Sequence, residues 1–180
     1  MWAVAQEQRG AERGLDTIAE ATRLWREHGW SDAAAGMAAV TSLMRAQQLV
    51  LARVESVLRP LGITFARYEV LMLLVFSQRG TLPMSVIGSR LQVHPTSVTN
   101  AVDRLQGAGL VERLPHPTDR RATLVAITDE GRTVADKATA ALNSEVFGRL
   151  GLAEKDLDAL VGILSRLRED AGDFATRKPR

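Results

Sequence analysis

Residues 84–128 read MSVIGSRLQVHPTSVTNAVDRLQGAGLVERLPHPTDRRATLVAIT. Val86, Ile87 and Leu91 give the first part a helical apolar face from Met84 to Leu91. The turn Gln92-Val93-His94 then leads into Pro95, whose fixed φ and missing N–H suit a first helical position. Val98, Val102 and Leu105 follow at i, i+4 and i+7, so one side of this second helix is built to pack, and Gly107 and Gly109 end it. Residues 110–114 and 121–127 are β-rich and alternate weakly on either side of the tip His116-Pro117-Thr118-Asp119-Arg120-Arg121, which predicts a hairpin. Helix, turn, helix and hairpin in that order make a winged helix-turn-helix. In that shape the second helix fits the DNA major groove and the hairpin reaches the neighbouring minor groove.

The side of the second helix turned away from Val98 and Val102 carries Thr96, Thr99, Asn100 and Asp103, flanked by Ser97 and Arg104. Such residues also serve as caps and ordinary solvent-facing positions. Their place on the free face of a winged motif assigns Thr96, Ser97, Thr99 and Asn100 to DNA, with Asn100 able to pair with adenine and the hydroxyls able to reach bases or phosphates. His94, at the N-terminal end, is expected to meet phosphate or cap the helix. Arg104 and Arg113 are expected phosphate contacts, weighed against surface salt bridges of small value. Asp103 would repel phosphate and is expected to pair with a nearby arginine.

Charge supports the same reading only locally. The 180-residue chain has a formal charge of +2 and a pI near 9.5. Between Arg104 and Arg121, however, four arginines face two acids, so this short piece alone nets +2. The chain shows a basic patch and not a basic protein.

Outside this segment the pattern is helical. Leu15 to Trp30 is amphipathic and should end near Gly29. Ser31 and Asp32 should cap a long helix running to Arg59 and stopped by Pro60 and Gly62, with Val40, Leu43, Met44, Gln47, Leu51, Val54, Leu58 and Leu61 as its apolar line. At 1.5 Å per residue that helix is about 40 Å long, more than a small domain needs for its own core, and such excess often packs against another subunit. Thr64 opens a further helix, expected to reach Gly80, with Phe65, Tyr68, Leu71, Met72, Val75 and Phe76 on its apolar face. Thr128 should cap a helix towards Leu150, with Asp129 and Glu130 in its first turn. A last helix from Ala153 sets Leu157, Leu160, Val161, Leu164 and Leu167 on one seam, and Arg177 to Arg180 form a disordered tail.

The expected fold is therefore mostly α with a small β-hairpin wing, one domain over residues 1–180. Its winged lobe covers 64–128, and helices at 15–59 and 129–172 join two copies.

The run LQVHPTSVTNAVDRLQGAGLVERLPHPTDRRATLVAITDEGR resembles the core signature of the multiple antibiotic resistance regulator (MarR) family, the likeness covering roughly Ala33 to Leu167. Its sharpest element is the Asp-Arg-Arg of the wing followed by Leu-Val-Ala-Ile-Thr-Asp-Glu-Gly. The resemblance implies a homodimeric, sequence-specific transcriptional regulator. It would bind a pseudo-palindromic operator in double-stranded DNA, usually as a repressor, and leave it when a small aromatic or phenolic ligand binds. It also implies that Asp119 pairs with Arg121 to hold the wing, while the remaining member of the pair Arg120 and Arg121 follows the narrow minor groove. The family's ligand crevice implies Trp25, Arg45, Tyr68, Glu69 and Met72 as pocket candidates.

The chain departs from the family pattern in three ways. The first turns of the recognition helix hold His94, Pro95, Thr96 and Ser97, where members often carry Arg or Lys. Cysteine is absent, which removes the peroxide-sensing branch. The N-terminal helix with Trp25 is similar to that of the urate-responsive branch, and Glu69 falls in its acidic slot, but the partnering arginines do not map.

Enzyme readings find no support, since His28, His94 and His116 lie in separate elements and there is no phosphate-cradling glycine loop or nucleophile elbow. Neither a metal nor a cofactor is expected. No apolar run is long enough for a membrane span, and residues 1–15 lack the apolar core of a secretory signal, so a soluble cytoplasmic protein is expected. All three tryptophans fall in the first thirty residues, leaving the winged motif without stacking platforms for single strands. The alternatives are a DNA-binding protein not gated by a ligand and a helical dimerisation module without DNA binding.

Overall fold

The structure is a computed structural model that describes residues 15–119 and 122–174. Contacts within the chain group into two units that meet at Glu69 and Val70.

The first unit begins with helix α1 (Thr17–Glu27), whose N-terminus is capped by Asp16, its carboxylate accepting from the N–H groups of Ile18 and Ala19 at 3.0 Å. Helix α2 (Ser31–Leu58) follows after Gly29 turns the chain at a φ of 82°. Ser31 and Asp32 are its first two helical residues and not its caps. The capping position falls on Trp30, which makes no side-chain capping bond, and Asp32 instead places an acid at the positive helix end. Val54 and Leu58 of the anticipated apolar line are buried, whereas Val40, Leu43, Met44 and Leu51 are exposed. A 3₁₀ turn through Pro60 and a left-handed Gly62 stop the helix. Glu55 then reaches ten residues along the chain to accept from the Phe65 N–H at 2.9 Å, satisfying the start of helix α3 (Phe65–Val75).

The second unit takes over within α3, where Val70, Leu71 and Leu74 are buried. The helix stops at Val75 and not at Gly80. The Ser77 hydroxyl donates to the Leu74 carbonyl at 2.7 Å and the backbone tightens into turns, so Phe76 leaves the apolar face and is 75% exposed. Next come strand β1 (Thr81–Pro83), helix α4 (Met84–Leu91) and helix α5 (Pro95–Gly107). Between the two helices Gln92 adopts a left-handed φ of 54°, which turns the chain in the three residues available. Strands β2 (Val111–Pro115) and β3 (Thr123–Ile127) form the hairpin, and β1 pairs antiparallel with β3 to give a three-stranded sheet in the order β1-β3-β2. The third strand was not evident beforehand, because three residues ending in proline carry no alternation and β1 exists only through its pairing with β3. Helices α6 (Asp129–Glu145) and α7 (Glu154–Asp170) complete the chain, with a 3₁₀ turn at Phe147–Arg149 between them. Helix α6 is thus shorter than the expected run to Leu150. No helix among the described residues is long and apolar enough to cross a membrane.

One junction sets where the hairpin sits. Thr128 caps α6, its hydroxyl accepting from the Gly131 N–H at 3.0 Å and donating to the Gly109 carbonyl at 2.8 Å, while its N–H donates to the Leu110 carbonyl at 3.1 Å. Gly131 has to lack a side chain here. A Cβ would lie 2.0 Å from the Leu110 carbonyl oxygen and 2.9 Å from Ile127 Cγ1. The Thr-Asp-Glu-Gly of the sequence is therefore the clasp that fastens the end of α5, the base of the hairpin and the start of α6. Gly131→Ala should destabilise the protein by about 1–3 kcal/mol, the usual cost of overpacking. An unchanged midpoint in chemical denaturation would show that the clasp is looser than described.

Candidate nucleic-acid interface

Helix α5 has two distinct sides. Val98, Val102 and Leu105 are all buried, whereas Thr96, Ser97, Thr99, Asn100, Asp103 and Arg104 are exposed. The buried triplet fixes the rotation of the helix about its axis, so the polar residues must face outward. The helix starts in solvent-exposed chain, where His94 Nδ1 accepts from the Thr96 N–H at 3.3 Å and Pro95 occupies the first turn. Of the two roles expected for His94, the structure gives it the cap. The Thr99 hydroxyl donates to the Pro95 carbonyl at 3.1 Å, so its oxygen can still accept a hydrogen bond.

The hairpin stands beside this helix. Its tip is organised by His116, whose Nδ1 accepts from the Asp119 N–H at 3.1 Å and the Thr118 N–H at 3.4 Å, and Ala122 N–H donates to the Asp119 carbonyl at 3.0 Å. Arg120 and Arg121 lie outside the described residues. Asp103 is paired as its sequence position suggested: Arg113 Nη2 of β2 is 2.6 Å from its Oδ1. Arg113 also donates from Nη1 to Gln106 Oε1 at 2.5 Å, a partner that the sequence did not single out. Arg104 is exposed and forms no ion pair among the described residues.

The five pocket candidates are dispersed in their surroundings. Trp25 is half-buried and lines a cleft of about 240 Å³ with Ala21, Leu24, His28 and Trp30, and its ring meets that of Trp30 edge-on at 4.9 Å. Neither Trp30 nor His28 was among the expected residues: His28 lies at i+3 from Trp25, and Trp30 comes close through the turn at Gly29. Arg45 is exposed on α2 and donates to Gln48 at 3.4 Å. Tyr68 is buried and stacks on Phe65, with ring centroids 6.1 Å apart. Met72 accepts from the Thr139 hydroxyl at 3.4 Å in the second unit. Glu69 is half-buried, and burial raises its carboxyl above the ordinary carboxylate range.

A raised carboxyl favours the folded state only while protonated, so its contribution is lost as pH climbs through the folded-state value. Glu69→Gln should therefore raise the melting temperature at pH 7, with the gain disappearing near pH 4, about where an unperturbed carboxylate titrates. A gain independent of pH would reject desolvation as its cause.

A family model described as the MarR family matches residues 63–123. The chain is 31% identical over 123 residues to the uncharacterized HTH-type transcriptional regulator YhbI of Bacillus subtilis, spanning 66% of this chain and 79% of that one. Among solved structures it is similar to Sco5413, a MarR family transcriptional regulator from Streptomyces coelicolor. The TM-score is 0.71 at 51% identity, covering 78% of this chain and 98% of that one. It is also similar to Sco3205, a MarR family regulator from the same organism solved in complex with DNA, with a TM-score of 0.65 at 26% identity over 73% of this chain and 84% of that one.

Proposed function

The chain belongs to the MarR family of transcriptional regulators, and from that premise we propose that it is a cytoplasmic homodimer that binds a pseudo-palindromic operator in double-stranded DNA and represses transcription until a small aromatic ligand releases it. The observation that carries this reading is the two-sided helix α5, locked by Val98, Val102 and Leu105 with Thr96, Ser97, Thr99 and Asn100 turned outward beside the hairpin.

In this reading α5 lies in the major groove with its N-terminal half against the base edges. Asn100 offers the paired donor and acceptor that adenine accepts, and Thr96, Ser97 and Thr99 provide hydroxyls for bases or phosphates. His94 serves the helix by capping it and brings the first turn close to the backbone. Arg104 supplies a phosphate contact, and of the wing pair Arg120 and Arg121 one is held by Asp119 while the other follows the minor groove, where negative potential is deepest when the groove is narrow. With few cations on α5 itself, affinity depends on the wing and the phosphates, and specificity depends on Asn100 and on the spacing of two such faces.

Dimerisation is supported by apolar side chains left exposed on helices at both ends of the chain. Val40 and Met44 of α2 are 58% and 59% exposed, and Val161 and Leu167 of α7 are 63% and 53% exposed. Leaving so much apolar surface in water is costly, at about 25 cal/mol per Å², and a second copy removes it. A dimer bound across a promoter would obstruct polymerase, which makes repression the simplest outcome. The pocket candidates Trp25, Arg45, Tyr68, Glu69 and Met72 remain the proposed ligand contacts, on the family likeness.

Selection of duplexes from a random pool, repeated with a panel of phenolic acids, tests the whole reading. Wild type should enrich a pseudo-palindrome, and at least one phenolic acid should lower its recovery. Enrichment of no sequence would reject sequence-specific binding. Asn100→Ala should cost about 1–3 kcal/mol at particular base pairs and relax the preference there. A uniform loss over scrambled sites would remove Asn100 as a base reader. Val161→Asp changes a residue already in solvent in the single chain, so it should yield folded monomers by ultracentrifugation. A dimeric Val161→Asp protein would move the interface away from the α7 seam.

A further inference from the structure

Asp103 is the single acid on α5, and Arg113 meets it from the middle of β2. The two terminal nitrogens of one guanidinium are divided between Asp103 Oδ1, at 2.6 Å, and Gln106 Oε1, at 2.5 Å. Those acceptors stand three residues apart on the same helix face, so the planar fork of the arginine spans nearly a full turn of α5. At its other end Arg113 sits in register with the buried Val125 of β3. The connection from α5 to β2 is only residues 108–110, and Gly109 within it takes a left-handed φ of 73°. A hinge this short fixes where the hairpin begins, while the fork fixes the angle at which it leaves. The side chain of Arg113 is 26% exposed, and its donors on this side are already in use.

We propose that Arg113 is a positioning residue and not a phosphate contact. Braced on Asp103 and Gln106, it sets the angle between recognition helix and wing, and with it the distance between the major-groove and minor-groove contacts. This inference rests on the DNA-binding reading above. It revises the expectation that Arg113 touches phosphate, and it accounts for an acid on a helix that faces a polyanion: the charge of Asp103 is consumed by the brace.

The test compares wild type, Arg113→Gln, Asp103→Asn and the reversed pair Asp103→Arg/Arg113→Asp on the duplex recovered by selection. It measures dissociation constants over a salt series, hydroxyl-radical cleavage of the minor-groove sugars, and melting. Arg113→Gln should bind about tenfold more weakly, within the range for coupled contacting pairs. Minor-groove protection at the wing should be lost while binding persists, and the log–log salt slope should fall along with the lost wing contacts. The reversed pair should recover most of both affinity and protection. Because the pair is partly exposed, melting should shift by less than about 4 °C.

A salt slope smaller by about 0.9 in Arg113→Gln with wing protection intact would make Arg113 a phosphate contact and overturn the proposal. Unchanged affinity and footprint, or a reversed pair that recovers neither, would overturn it as well. Should Arg113→Gln fail to fold, Asp103→Asn decides, since it keeps the arginine and removes its anchor. Lost wing protection supports the brace, and intact protection rejects it. Wild type that binds no duplex would overturn the functional reading, and the brace with it.

Discussion

The contact on which the second unit depends is the approach of Gly131 to the Leu110 carbonyl, too close for any side chain, with Thr128 bonded to both Gly109 and Leu110. Three elements meet at this point. The end of α5, the base of the hairpin and the start of α6 share one set of backbone hydrogen bonds, so none can tilt without breaking the others' polar satisfaction. Removing all side-chain atoms at position 131 lets the chains come together, and the Thr128 hydroxyl, acting as donor and acceptor at once, holds them there.

From that clasp the functional surface follows. The buried triplet of α5 fixes its rotation, the clasp fixes its C-terminal end, and the Arg113 fork adds the angle of the hairpin. Recognition helix and wing thus form one piece with a polar, nearly uncharged helix and a basic tip. Once Asp103, which lies just outside the stretch from Arg104 to Arg121, is seen to neutralise Arg113, the cations left on this piece are Arg104 and the wing arginines. In the proposed function such a surface would draw phosphate mainly through the wing and read bases mainly through hydroxyl and amide groups.

Much of this was legible in the residues because the information is local. Pro95, Gly107 and Gly109 mark the helix ends, Val98, Val102 and Leu105 mark its buried side, and Thr128 with Asp129 and Glu130 marks the start of α6. What could not be read depends on distant partners. Strand β1 exists only as the neighbour of β3, more than forty residues later. Glu55 closes the start of α3 across ten residues, and Gln106 has no meaning until β2 brings Arg113 against it. The early stop of α3 is not written in one residue: Ser77 bonds the Leu74 carbonyl, but Ser56 and Ser89 make the same bond inside helices that continue. Trp30 joins Trp25 and His28 only because Gly29 turns the chain back.

The central claim is that helix and wing engage DNA as one rigid piece, presented twice by a dimer. Dimethyl sulfate protection of the selected duplex tests it in a single experiment, because the reagent reports guanine N7 in the major groove and adenine N3 in the minor groove. The account predicts two protected major-groove patches about one helical turn apart, roughly 10 base pairs, each flanked by protected minor-groove adenines. Protection of only one groove, or of a single unrepeated patch, would contradict it.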